Sequence, residues 1–128
     1  MLFATTPDTV TLTELHSGRY LMLNQRFTDV LGWTPEEAIG RTATELGIWR
    51  RAADRERLLQ LLETQGTVHD MPALFGTKAG GSVTLNISAA RFRADGGDYL
   101  VVVGRDTSDI ERARLEREAI LQYASVGM

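Results

Sequence analysis

From Thr67 to Arg105 the sequence reads with a period of two, interrupted twice by glycine-containing turns. Val83, Leu85, Ile87 and Ala89 alternate with Thr84, Asn86 and Ser88, which predicts a strand with one buried and one wetted face. Lys78-Ala79-Gly80-Gly81 and Asp95-Gly96-Gly97-Asp98 have the composition of hairpin turns. They place the flanking segments, Thr67–Phe75 and Tyr99–Arg105, antiparallel to the central one. Pro72 has no N–H, so its strand belongs at a sheet edge or carries a bulge. A meander with one apolar face needs a second layer to cover it.

The first half of the chain supplies that layer and two more strands. Thr9 to Leu15 alternates polar and apolar residues, the pattern of a half-buried strand. His16 to Arg19 is a turn around Gly18, and Arg19 to Leu23 returns as a second strand. Asn24 suits a helix N-cap before Gln25–Leu31, which carries Phe27, Val30 and Leu31 on one side and stops at Gly32. Thr34-Pro35-Glu36-Glu37 combines a capping box with proline at the first helical position. That helix is short, because Gly40 follows closely. Thr42 to Trp49 reads as irregular or a single turn. Asp54–Glu63 is the longest interior helix, with Leu58, Leu59, Leu61 and Leu62 on its buried side and Gly66 as its stop. The order predicts an α+β fold: a five-stranded antiparallel sheet with short helices on one face, followed by a C-terminal linker helix.

The exit from the sheet is abrupt. Leu100 to Val103 is a buried-strand sequence, and a strongly charged helix begins almost at once, at Ser108. Ser108-Asp109-Ile110-Glu111 is a second capping box, and Asp106 lies near the positive end of that helix dipole. The junction Asp106, Thr107, Ser108 is therefore where a folded core hands over to an exposed rod. Ile110, Ala113, Leu115, Ala119, Ile120 and Leu121 make a thin apolar stripe, consistent with either a dimeric coiled coil or a solvated connector. The expected division is a domain over residues 1–107 and a helix over 108–128, with the apolar tail after Leu121 reading as the start of another module.

The residue inventory removes several functions. The chain has no cysteine, which excludes disulfides, thiolate metal sites, cysteine nucleophiles and cysteinyl-flavin chemistry. His16 and His69 fall in turn or strand-edge contexts and read as exposed polar residues, so no metal site is expected. No nucleophile–base–orienter pattern and no phosphate-binding glycine loop precedes a helix, so catalysis by this chain is not expected. A formal net charge of −3 gives no basic field for direct nucleic-acid binding. No apolar run reaches the ~20 residues of a membrane span, and Met1-Leu2-Phe3-Ala4 lacks the build of a signal peptide, so a cytoplasmic location is expected.

Gly18-Arg19-Tyr20-Leu21-Met22-Leu23-Asn24, Leu31 to Arg41 (LGWTPEEAIGR), Gly66-Thr67-Val68 with Thr77-Lys78-Ala79-Gly80-Gly81, and Asp106-Thr107-Ser108 occur in an order that resembles the PAS domain. The resemblance runs from about Thr9 to about Glu116. Thr107 departs from the isoleucine usual in the closing triplet. The resemblance implies a sensory or dimerisation module of a multidomain bacterial signal-transduction protein. Its output domain, such as a histidine kinase or a diguanylate cyclase, would follow in cis. It also implies a homodimer, and a small ligand held between sheet and helices. Candidate lining residues are Phe27, Leu31, Ile39, Leu46, Trp49, Leu58, Leu62, Leu85, Ile87 and Val102. The alternative for the same residues is a filled core in a ligand-free structural dimerisation module. Haem is disfavoured because the long interior helix has no histidine. Non-covalent flavin or a small metabolite stays open, with Trp33 and Trp49 either flanking a pocket or simply packing.

Overall fold

The structure, a computed structural model, describes residues 6–106 and Arg117. Strands β1 (Thr9–Glu14) and β2 (Tyr20–Leu23) form the opening hairpin. Four helices follow: α1 (Gln25–Leu31), α2 (Pro35–Ala38), α3 (Ala43–Leu46) and α4 (Ala52–Gln65). The meander β3 (Thr67–Gly76), β4 (Ser82–Ala94) and β5 (Gly97–Asp106) completes the domain. The strand order is β2-β1-β5-β4-β3, and every neighbouring pair is antiparallel. The last strand is therefore central and pairs with the first, Thr11 opposite Val102 and Leu12 opposite Val101. The five-stranded antiparallel sheet and the short covering helices expected from the sequence are both present.

Local chemistry explains most boundaries. Asn24 caps α1, Thr34 and Glu37 close a capping box on α2, and Thr42 and Glu45 close another on α3. The second box makes a single helical turn at Ala43–Leu46, within the segment Thr42 to Trp49 that reads as irregular or a single turn. Helix α4 extends beyond Asp54–Glu63 at both ends, since Ala52 and Ala53 propagate it and Gly66 stops it in the left-handed conformation. Both readings of Pro72 hold: β3 is an edge strand, and its register shifts between Val68 and Met71, where Asp70 takes φ 53°. Asp95 and Gly96, at φ 49° and 78°, make a tight two-residue turn that matches the sheet twist. Arg117 is helical and exposed; Thr107, Ser108 and the rest of the expected exit helix lie outside the described residues.

The core lies between the sheet and the helices. Leu58 and Ile87 are fully buried from opposite sides of it, beside Leu31, Ile48 and Leu62. One strand inverts the usual polarity. In β1 the buried residues are Thr9, Thr11 and Thr13, whereas Val10 and Leu12 sit on the outer face, part-exposed. The inner face of this strand borders a space and not tight packing, so a threonine can bury its methyl there and turn its hydroxyl inward.

Candidate functional site

Asn24 anchors the wall of that space. Its side-chain oxygen accepts from Phe27 N at 3.1 Å and Val10 N at 3.0 Å, and its amide donates to the Asp8 carbonyl at 2.9 Å. One buried side chain thus ties the start of α1 to the start of β1. On the far side, Gly76 N donates to Ile48 O and Arg50 N to Leu74 O, binding the loop after α3 to β3. The Arg50 guanidinium reaches Ser82 Oγ at 3.0 Å and the Gly80 and Gly81 carbonyls. The approach is close enough that a Cβ on Gly76 would strike the Gly47 carbonyl oxygen.

The space between sheet and helices measures about 40 Å³ as traced by the centre of a water molecule. That is room for about three waters. Of the residues expected to line it, Phe27, Leu31, Trp49, Leu58, Leu85, Ile87 and Val102 do so. Ile39, Leu46 and Leu62 do not border it. Ile39 ends α2 at the surface, 45% exposed, because its helix is too short to carry it inward. Leu46 packs against the outside of the core, and Leu62 is buried one helical turn beyond the space, with no face on it. Trp49 borders it and packs on Phe75, ring centroids 4.8 Å apart. Trp33 does not; it lies beneath the Lys78 ammonium, 5.8 Å from ring centre to Nζ.

The polar part of the lining escaped the sequence reading. Thr9, Thr11, Thr13 and Tyr20 all border the space. Thr9 Oγ1 donates to the Gly104 carbonyl at 3.3 Å. The hydroxyls of Thr11, Thr13 and Tyr20 have no hydrogen-bond partner among the described residues. Burial pushes the Tyr20 hydroxyl up from its ordinary range, so it keeps its proton. A signal was present: Leu15 shares the parity of the threonines, so an inward Leu15 implies inward threonines.

A clasp closes the outside of the site. Lys78 N donates to the Leu31 carbonyl at 2.8 Å, and its ammonium pairs with Glu37. The Lys78 hydrogen bond and the Thr34 backbone N–H hold the Glu37 carboxyl at about 2, well below the usual carboxylate range. Glu45 is likewise lowered, first by the Thr42 backbone N–H. Arg55, half-buried, is the one charged side chain on the lining among the described residues; its Nη2 donates to the His16 carbonyl at 3.1 Å. Among those residues no group of three or more His, Cys, Asp or Glu could hold a metal ion. A flavin ring is larger than this space and would need the helices to move apart to enter.

The strand that floors the space is also the strand that leaves it. Leu100 and Val102 line it from β5, and Gly104 follows on the same face. A Cβ on Gly104 would lie 2.5 Å from Thr9 Oγ1 and 3.1 Å from Leu85 Cδ1, so β5 crosses here in close contact with β1 and β4. Two residues later β5 ends at Asp106, opposite Leu85.

Comparison with known proteins agrees with this architecture. The PAS domain of an HTR-like protein from Haloarcula marismortui is 26% identical to this chain, with TM-score 0.62 over 82% of this chain and 85% of that one. A domain of a sensory box sensor histidine kinase/response regulator from Geobacter sulfurreducens is 21% identical, with TM-score 0.63 over 82% and 88%. A variant Cycle PAS-B domain from Drosophila melanogaster, solved with bound glycerol, is 19% identical, with TM-score 0.64 over 76% and 97%. No curated protein matches the chain. The PAS fold family matches residues 2–107, which takes in the opening hairpin, all four helices and the three-strand meander, and the chain belongs to that family.

Proposed function

We propose that this domain is a sensory module that converts a change in its internal cavity into a change at the end of β5. The observation that carries the reading is the path of one strand. β5 is central in the sheet, lines the cavity through Leu100 and Val102, and runs without a break to Asp106. A ligand acts through it only by binding one arrangement of the strand better than another. The junction Asp106, Thr107 and Ser108 then passes the difference to residues 108–128 and on to an output domain in cis. A histidine kinase fits best, since domains from such kinases share this fold; a diguanylate cyclase would use the same exit. The domain itself is not the catalyst. The size of the cavity favours a small metabolite over flavin as its occupant.

A second reading, a structural dimerisation module without ligand, draws on the outer sheet face. Val10, Leu12, Val101 and Val103 are only part-buried there, with Met22 and Phe92 exposed at 47% and 44%. A homodimer through this face is compatible with either reading. Ala43→Leu in the protein carrying its output discriminates between them, because it places an isobutyl group inside the cavity. Sensing predicts an output changed at least several-fold with the fold intact. An output that stays unchanged refutes it and leaves the structural reading.

A further inference from the structure

The cavity has a chemical polarity of its own. One wall carries the hydroxyls of Thr11, Thr13 and Tyr20, on residues 7%, 6% and 4% exposed. None has a partner in the described protein. Buried hydroxyls are almost always hydrogen-bonded, so three facing one space mark a place where something else completes them. The rest of the lining is aliphatic and aromatic: Phe27, Leu31, Trp49 and Leu58 from the helical layer, and Ile87 two strands across the same sheet face as the threonines. Among the described residues no carboxylate lines the space, and the one cation that does, Arg55, is half-exposed and already donates to a carbonyl. An ionised ligand would lose its hydration against neutral hydroxyls and hydrocarbon, and nothing buried would compensate its charge.

We propose that the cavity takes a neutral molecule of about four to six non-hydrogen atoms, the size that about 40 Å³ of water-centre space allows, with one hydrogen-bonding end on Thr11, Thr13 and Tyr20 and one apolar end against Leu31, Leu58 and Ile87. This rests on the sensory reading above and names the class of its ligand. Threonine and tyrosine hydroxyls donate and accept, so a short alcohol, amide or ketone satisfies them equally well. The buried Tyr20 keeps its proton and remains a donor through the physiological range.

The test is a methyl-detected NMR titration of the chain with 1-butanol, and in parallel with butyrate and butylammonium. The expected result is saturable shifts of the Ile87, Leu58 and Val102 methyls with 1-butanol and none with either ion in the same range. The double substitution Thr11→Val, Thr13→Val weakens 1-butanol at least tenfold while raising the melting temperature of the free domain, because it deletes hydroxyls that the protein leaves unpaired. Tyr20→Phe weakens it at least threefold and serves if the double variant does not fold. The proposal is overturned if 1-butanol never saturates, so that the cavity holds water only. It is equally overturned if either ion binds as tightly, or if the valine variant binds unchanged. An ion that binds while Ala43→Leu still alters output removes the ligand class and leaves the sensory reading standing. No binding by any probe, together with an unchanged output, removes both.

Discussion

Replacing Asn24 by alanine should cost the domain about 3 kcal/mol. The residue is 3% exposed, and its side chain makes three hydrogen bonds to main chain of the described residues that alanine cannot make. Loss of the N-cap bond to Phe27 N accounts for about 1 kcal/mol. The Val10 N–H and the Asp8 carbonyl are then left part-buried without a partner, at about 1 kcal/mol each. For a domain of this size the sum lowers the melting temperature by roughly 10–20 °C. Asn24→Ser is the internal control: its hydroxyl still caps α1 but is too short to span to β1, so it should recover only about 1 kcal/mol. The assay is urea unfolding followed by tryptophan emission and far-UV circular dichroism, with ΔG compared at an unchanged m-value. A loss below 1 kcal/mol for Asn24→Ala, or full recovery in Asn24→Ser, would refute the claim that one side chain fastens β1 to α1.

Gly76→Ala should cost about 2 kcal/mol in the same assay, because its Cβ meets the Gly47 carbonyl oxygen and lies 3.2 Å from the Arg50 guanidinium carbon; a neutral result would mean that the loop after α3 moves freely. Leu58→Ala should cost about 3 kcal/mol and widen the cavity, so that an occupant bulkier than 1-butanol binds; a crystal structure showing the space collapsed would contradict it. Lys78→Met should raise the Glu37 carboxyl from about 2 toward its ordinary 4.5, stopping short because the Thr34 contacts remain. A carboxyl depressed by folding adds stability above its unfolded value and loses it as pH falls through the folded one, so the acid limb of the stability profile should move to higher pH. Carboxyl-detected NMR titration of Glu37 checks this, and an unchanged midpoint would contradict it.

Strand count, antiparallel pairing and helix starts were legible because they rest on local chemistry. The alternation around Ile87, the glycine turns at Gly80 and Gly96, and the caps at Asn24 and Thr34 each act within a few residues. The position of β5 was not legible, since its pairing with β1 joins residues far apart in sequence, Val10 with Val103 for example. The candidate site was readable on its apolar side, where period and burial agree. Its polar side was hidden by the expectation that threonine faces water. Ile39 misled for the opposite reason: an apolar residue beside a short helix looked inward, and α2 ends before it can turn that way.

The central claim is that the state of the cavity is felt where β5 ends. Amide hydrogen exchange along Leu100–Asp106 and through residues 107–116, compared between the unaltered chain and Ala43→Leu, tests it most directly. The prediction is a change in protection at Val102 and Gly104 that continues past Asp106. Changes confined to α3 and α4, with β5 and the residues after it exchanging as before, would contradict it.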